Sequence, residues 1–159
     1  NQDHSMQSAL AVSAVWFYQE LARRVGPKQM AFWVEKVGYG NRDVSGSIDS
    51  FWLDGGLRIS GMEQVLFLQA LAENRLPFSK ETLEAVRDIS IVERTEAYTL
   101  HAKTGWAMRV EPQVGWYVGW LEQGGANHFF ALNMDIRSRK DARAREPIAR
   151  KCLQALGLL

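Results

Sequence analysis

The tripeptide Lys103-Thr104-Gly105 carries side chains suited to holding an anionic substrate. Lysine supplies a fixed positive charge, a threonine hydroxyl can hydrogen-bond a carboxylate, and glycine lets a ligand approach the backbone closely. Because successive side chains of a strand point to opposite faces, a site that uses all three should lie along an exposed strand edge. An acyl substrate would bind there like an added strand. The alternative is a solvated lysine followed by a strand-end glycine.

The second half of the chain has the pattern of an antiparallel meander around this tripeptide. Three runs rich in aromatic and β-branched residues, at 98–106, 114–122 and 128–135, are joined by short connections. The later two runs are apolar on both faces, which predicts layers of structure above and below the sheet. One layer is expected to be a final helix, whose predicted apolar stripe is Ile148, Cys152, Ala155, Leu156 and Leu159.

The first half is predicted to be helical around one long loop. Apolar residues at helical spacing predict helices at 10–25 and 27–38, separated by a Gly-Pro pair. Residues 39–50, rich in Gly, Ser, Asn and Asp, form the predicted loop. A capping box that starts at Ser60 and an N-cap at Ser79 each predict a further helix.

Composition limits the class of protein. The chain has 159 residues, 47% hydrophobic and 23% charged, which is typical of one soluble globular domain and argues against disorder, collagen and coiled coil. No apolar run approaches the roughly 18 residues that a membrane span needs. The single cysteine, Cys152, cannot form an intrachain disulfide. The cysteine content therefore does not indicate whether the protein belongs to an oxidising or a reducing compartment.

A basic stretch at 137–151 contains seven basic and two acidic residues. Such a run can mark nucleic-acid binding, which would give strongly salt-dependent DNA affinity. No aromatic platform accompanies it, so a solvated helix surface is the favoured interpretation. The histidines His4, His101 and His128 are expected on the surface or in strands, and because their spacing is not that of metal ligands, no metal site is predicted.

The order of short motifs along the chain resembles that of class D, oxacillinase-type, serine β-lactamases. The motifs are Ser13-Ala14-Val15, Tyr39-Gly40-Asn41, Phe51-Trp52-Leu53, Lys103-Thr104-Gly105 and the run Gly115–Trp120. The resemblance covers essentially the whole chain. It implies an α+β fold of three-layer α/β/α type, like that of serine β-lactamases and penicillin-binding transpeptidases, in which an antiparallel sheet has helices on both faces.

The same resemblance implies that the chain is the C-terminal part of a single β-lactamase domain. Residues 1–95 would be mainly helical and include the Tyr-Gly-Asn loop, and residues 96–159 would hold the antiparallel strands and the C-terminal helix.

The resemblance implies four catalytic positions. Ser13 would relay a proton toward the leaving β-lactam nitrogen, and Lys103 would hydrogen-bond to that serine and sustain the positive field. The backbone N–H of Trp106 would be one oxyanion-hole donor. The indole N–H of Trp52 would hold a carboxylated lysine, the family's general base. Taken without the neighbouring motifs, Ser13 could be a helix cap and Trp52 a core aromatic.

Further positions are implied to bind or border the substrate: Val15, Tyr39, Asn41, Thr104, Gly105 and Arg145. Thr104 would contact the substrate carboxylate, and Arg145, counted from Met134-Asp135-Ile136, would grip it in bidentate fashion. Arg143 stays open as a competitor for that role. Val15 would pack beside the family's carboxylated lysine. The Tyr-Gly-Asn residues are expected to shape the loop that borders the site.

The chain departs from the family at its central motif, S-x-x-K, because no serine is followed three residues later by a lysine. In the family this motif supplies the nucleophile and the lysine that takes up carbon dioxide, and it lies upstream of S-x-V. The interpretation is a chain that is incomplete at its N-terminus and begins inside the domain. An N-terminal part of the same protein, or another polypeptide, is expected to pack against it. Without it, these residues should be inactive.

The leading hypothesis is a parent β-lactamase that confers antibiotic resistance, periplasmic or secreted, acting on β-lactam antibiotics. No cofactor is expected beyond carbon dioxide in the lysine carbamate, and neither a nucleic-acid nor a membrane partner. A homodimer is an open possibility. The alternative is a penicillin-sensor domain of a membrane receptor, which shares the fold but keeps the acyl group.

Overall fold

The computed structural model describes residues 3–159, which form two compact units, one up to Ser90 and one from Ile91. The helices of the first unit are α1 (Met6–Ala11), α2 (Val15–Val25), α3 (Pro27–Val37), α4 (Gly61–Ala72) and α5 (Lys80–Ile89). The second unit contains β1 (Ile91–Arg94), β2 (Tyr98–Ala107), β3 (Val114–Gln123), β4 (Ala126–Asp135) and α6 (Arg139–Ala155). Among these described residues, no helix has both the length and the apolar character that crossing a membrane requires.

The prediction of one helix at 10–25 is wrong, because the chain breaks between α1 and α2. Ser13 has a φ of 53°, in the left-handed region that non-glycine residues seldom occupy. In this conformation the Ser13 N–H reaches the Leu10 carbonyl at 3.2 Å, and the Ala14 N–H reaches the Ala9 carbonyl at 2.9 Å. These bonds satisfy the last carbonyls of α1, so the apolar spacing continues while the helix does not.

The other helix boundaries of the first unit follow their local signals. Helix α3 has Pro27 in its first turn and ends at Gly38, whose φ of 65° is left-handed. Ser60 and Glu63 form the predicted capping box at α4, and the Ser79 hydroxyl accepts from the Thr82 N–H at 3.2 Å at α5. The irregular segment is longer than predicted, since it continues from residue 39 to the capping box.

The second unit is built on an antiparallel sheet in the order β1-β2-β3-β4. The three predicted strands are confirmed as β2, β3 and β4, which pair along their whole lengths. Strand β1 was not predicted from the pattern, because four residues are too short to show a clear alternation. The α+β class with an antiparallel sheet is therefore confirmed.

One face of the sheet packs against α6 in a core of Leu100, Ala102, Tyr117, Leu121 and Ala149. On the opposite face Trp120 is only 1% exposed, and its ring stacks on that of the buried His101 at a centroid distance of 4.1 Å. Both faces thus carry buried residues, as the apolar strand pattern predicts.

The predicted apolar stripe of α6 is largely wrong. Ile148 is 38% and Leu156 72% exposed, and Cys152 and Ala155 are also exposed, while Leu159 alone of the five packs against the core. The buried face consists instead of Ala142, Ala149 and Leu153. Small alanines let the helix backbone approach the sheet closely, so the helix turns this face inward rather than the one with the larger side chains.

Candidate active site

The Lys103-Thr104-Gly105 segment lies at an edge of the described sheet, as predicted. Strand β1 pairs with β2 only at residues 99–101, whereas β3 pairs with β2 throughout 98–107. Within the described residues, the second half of β2 therefore has a neighbouring strand on one side only. Backbone groups on its other side are available to an extended ligand.

Side chains along this edge alternate between the two faces. Thr104 and Trp106 point to the α6 side, where they line a cavity with residues of that helix. Lys103 starts from the opposite face, and its Nζ donates to the Thr104 carbonyl at 2.8 Å. Burial, and secondarily the positive charge of Arg145, lower the pKa of Lys103. The lysine is thus a fixed donor in a partly desolvated position.

Arg145 reaches from α6 to the tripeptide backbone. Its Nη1 donates to the Gly105 carbonyl and lies 3.5 Å from the Trp116 carbonyl. The arginine stem has room because Gly115 has no side chain: a Cβ there would lie 2.7 Å from the Arg145 Cδ. Burial lowers the pKa of Arg145. The guanidinium is therefore held beside Thr104.

The Arg145 contacts also reveal the direction in which the backbone N–H of Trp106 points. Trp116 is the partner of Gly105 across the β2–β3 pair, and one guanidinium nitrogen lies near both of their carbonyls. The Gly105 carbonyl consequently points toward β3, and in a trans peptide the following N–H points the opposite way. The Trp106 N–H thus faces the free edge. Its ring is oriented by a 3.0 Å hydrogen bond from Nε1 to the Gln113 side chain.

A cavity of about 410 Å³ lies between this edge and α6. Its lining residues are Thr104, Trp106, Arg139, Ala142, Arg143, Arg145 and Glu146. Both candidates for the carboxylate-binding arginine lie there, but Arg145 is half-buried and held on the Gly105 carbonyl, whereas Arg143 is exposed. Sequence reasoning missed Arg139 and Glu146, although their spacing of seven residues places them on one helix face.

Ser13 and Val15 lie at the junction of α1 and α2 in the first unit. Ser13 is exposed, and its left-handed φ makes it a strained position of the kind found at functional sites. The N-cap residue of α2 is Ala14, the residue after Ser13. Val15 is 45% exposed at the start of the helix.

Tyr39 and Asn41 have contacts that stabilise the loop. The Tyr39 hydroxyl donates to the Gln64 side chain of α4 at 2.7 Å, and burial raises the pKa of Tyr39. The Asn41 side chain donates to the Gly56 carbonyl at 2.8 Å and accepts from the Arg58 N–H at 2.9 Å. These bonds join the two ends of the loop, so both residues shape it.

Trp52 lies in a tight turn of the same loop. The Phe51 N–H donates to the Ser47 carbonyl at 2.9 Å, and the buried Phe51 ring meets the half-buried Trp52 ring edge-on at 5.1 Å. The turn is tied to α2, because Gln19 donates to the Asp49 carbonyl at 3.0 Å and Arg23 forms a 2.6 Å ion pair with Asp49. The element that follows Ser13 thus also holds the segment that carries Trp52.

Each unit gathers part of the predicted site. The second unit brings together Lys103, Thr104, Gly105, Trp106 and Arg145. The first unit carries Ser13, Val15, Tyr39, Asn41 and Trp52. Within residues 3–159, no group of three or more His, Cys, Asp or Glu side chains could hold a metal ion.

Comparison with protein families gives a match over residues 1–154 to the penicillin-binding protein transpeptidase domain. The chain is 41% identical over 154 residues to β-lactamase OXA-48 of Klebsiella pneumoniae, covering 97% of the chain and 58% of that protein. It is 41% identical to the probable β-lactamase YbxI of Bacillus subtilis over 88% of the chain and 52% of that protein. The chain thus spans little more than half the length of these two curated relatives.

Solved structures agree with this relationship. The class D β-lactamase YbXI from Nostoc superimposes with a TM-score of 0.97 at 50% identity, covering all of the chain and 67% of that protein. The class D β-lactamase FUS-1 (OXA-85) from Fusobacterium nucleatum gives a TM-score of 0.96 at 40% identity, covering 99% and 66% respectively.

Proposed function

Because the chain belongs to the penicillin-binding transpeptidase family, among its class D β-lactamases, we propose that the complete protein hydrolyses β-lactam antibiotics through a serine acyl-enzyme. The observation that carries the proposal is the placement of Arg145 on the Gly105 carbonyl, beside Thr104 and the free edge of β2. The complete protein would be periplasmic or secreted.

The ring carboxylate of the antibiotic would bind to Thr104 and Arg145. A hydroxyl and a guanidinium together satisfy several lone pairs of a carboxylate, and partial burial strengthens the interaction. The substrate amide would then lie along the β2 edge, with its carbonyl oxygen directed at the Trp106 N–H. That donor would stabilise the oxyanion of the tetrahedral intermediate.

Acylation needs a serine nucleophile, which would lose its O–H proton to a general base as its oxygen attacks the lactam carbonyl. The C–N bond then breaks and the ring nitrogen takes up a proton. Lys103 and Ser13 would supply that proton path, with Lys103 as hydrogen-bond donor to the Ser13 hydroxyl. No serine of the 159 residues has a lysine three positions later, so the nucleophile would come from a segment outside these residues.

Deacylation needs a base that activates water against the acyl ester, releasing the ring-opened acid and the free serine. In the proposed mechanism a carboxylated lysine would supply this base, and the Trp52 indole N–H would donate to its carbamate. The support is the position of Trp52, half-buried in a turn that α2 holds in place. A partly desolvated indole donor favours the charged carbamate over the free amine.

Substitution of Trp52 in the complete protein tests this function. Trp52→Phe keeps an aromatic side chain but removes the indole N–H, so the deacylation rate should fall on the order of 10²-fold, with a smaller effect on acylation. Stopped-flow measurement of the burst and mass spectrometry of the acyl-enzyme separate the two steps.

The matched control is Trp16→Phe, since Trp16 is a half-exposed indole of the same unit and is outside the proposed site. Its rates should stay those of the unsubstituted protein. Equal losses of acylation and deacylation in Trp52→Phe would contradict the carbamate role. An acyl-enzyme that persists in the unsubstituted complete protein would instead indicate a penicillin sensor.

A further inference from the structure

The cavity beside Thr104 holds cationic side chains that the proposed function does not use. Arg139, Ala142, Arg143 and Glu146 follow one another at i, i+3, i+4 and i+7, so one face of α6 forms this wall. Thr104 and Arg145 line the same cavity as this wall. A substituent next to the group that Arg145 binds would therefore lie against the wall.

This wall is positively charged. Its one carboxylate, Glu146, is paired with Arg150 at 3.2 Å. Within residues 3–159, neither Arg139 nor Arg143 has a carboxylate within the 4.0 Å of an ion pair, and both side chains are exposed. Two uncompensated guanidinium groups thus face one cavity.

We propose that Arg139 and Arg143 form a second anion subsite. It favours β-lactams that carry an additional carboxylate or sulfonate on the substituent next to the ring carboxylate. The inference rests on the proposed function, since it takes the ring carboxylate to be held by Arg145 and Thr104. A cavity of about 410 Å³ suits a small-molecule substituent. Guanidinium groups suit carboxylate and sulfonate oxygens, which they bind in bidentate fashion.

The test compares two cephalosporins that share an acyl side chain and differ at C3, one with a sulfonate substituent and one with a neutral group of similar size. The measured quantity is the ratio of their kcat/KM values with the complete protein. Arg143→Ala should lower the preference for the sulfonate compound by about fivefold at low ionic strength, and the effect should shrink with added salt. Arg139→Ala combined with Arg143→Ala should lower it further.

Lys140→Ala is the matched control, because it removes one exposed positive charge of α6 that does not line the cavity. The ratio should stay unchanged in this variant. An equal shift in Lys140→Ala would overturn the subsite in favour of a general charge effect. Equal losses for both cephalosporins in Arg143→Ala would also overturn it, since Arg143 would then hold the ring carboxylate.

A binding measurement distinguishes failure of the subsite from failure of the proposed hydrolysis. If the unsubstituted complete protein hydrolyses neither compound, equilibrium binding of both is measured by quenching of tryptophan fluorescence. Preferential binding of the sulfonate compound that is lost in Arg143→Ala would support the subsite without hydrolysis. Equal binding of the two compounds, or binding of neither, would overturn it.

Discussion

At the scale of single residues, two effects lower the pKa of Lys103. Burial removes water from its ammonium group, and the Arg145 guanidinium adds a like charge, so both lower the pKa of Lys103. The hydrogen bond from Nζ to the Thr104 carbonyl keeps the group pointing along the strand edge. A lysine in this position donates a proton more readily than a solvated one.

Replacing Arg145 by glutamine should raise the pKa of Lys103. The change removes the like charge but leaves the burial, which is the larger cause, so the pKa should remain below that of a solvated lysine. Titration of the lysine Cε resonance by NMR measures the shift. Arg137→Gln is the control, because Arg137 is exposed and belongs to neither the cavity nor the strand edge. An unchanged or lower pKa in Arg145→Gln would contradict the electrostatic coupling.

At the scale of elements, an ionic cluster fastens α6 to the edge of the sheet. Arg150 of α6 pairs with Glu93 of β1, and the same carboxylate accepts from the Tyr98 hydroxyl at 2.6 Å. Arg150 also pairs with Glu146 at 3.2 Å, one residue from Arg145. The cluster therefore ties three elements together at the end of the cavity wall.

Glu93→Gln should lower the free energy of unfolding by about 1 kcal/mol at neutral pH, since the ion pair is partly exposed. The Tyr98 hydroxyl and Arg150 lower the pKa of Glu93. Its stabilising contribution is thus present above the ordinary carboxyl pKa and is lost as the pH falls through the lower folded value. The free energy of unfolding, measured with urea at several pH values, should decrease less in the variant than in the unsubstituted protein as the pH falls.

The control for this prediction is Glu96→Gln, an exposed carboxylate in the turn between β1 and β2. Its unfolding free energy should stay within about 0.5 kcal/mol of the unsubstituted value. An equal loss of stability in both variants, or an undiminished acid sensitivity in Glu93→Gln, would mean that the cluster does not fasten α6.

The elements that sequence alone predicts are those set by local signals. The Ser60 capping box, the Gly38 end of α3 and the long alternating strands depend on neighbouring residues and were predictable. The break at Ser13 and the inward face of α6 depend on tertiary contacts, which apolar spacing does not encode.

The same distinction applies to the site. The tripeptide on β2 and the edge it occupies follow from the strand pattern. Counting along a family motif gives Arg145 as the candidate, and the contact of its guanidinium with the Gly105 carbonyl is a tertiary feature that such counting does not contain. Arg139 and Glu146 were missed, because a cavity wall forms only once α6 lies against the sheet.

At the scale of the whole molecule, the proposed chemistry draws on both compact units. Ser13 and Trp52 belong to the first unit, while Lys103 and Trp106 belong to the second. The proposed proton path would require both Lys103 and Ser13, so the loss of either residue should remove most of what the pair contributes. Independent sites would instead give effects that multiply.

A double-mutant cycle on the complete protein distinguishes these cases. Ser13→Ala and Lys103→Ala should each lower the acylation rate by on the order of 10²-fold, and the double variant should be little worse than either one. Stopped-flow acylation by a chromogenic cephalosporin measures the four rates. In the control cycle of Ser13→Ala with Arg145→Ala the factors in kcat/KM should multiply, because proton transfer and carboxylate binding are separate contributions. Multiplying losses for Ser13 and Lys103 would place them in independent sites and contradict the proposed proton path.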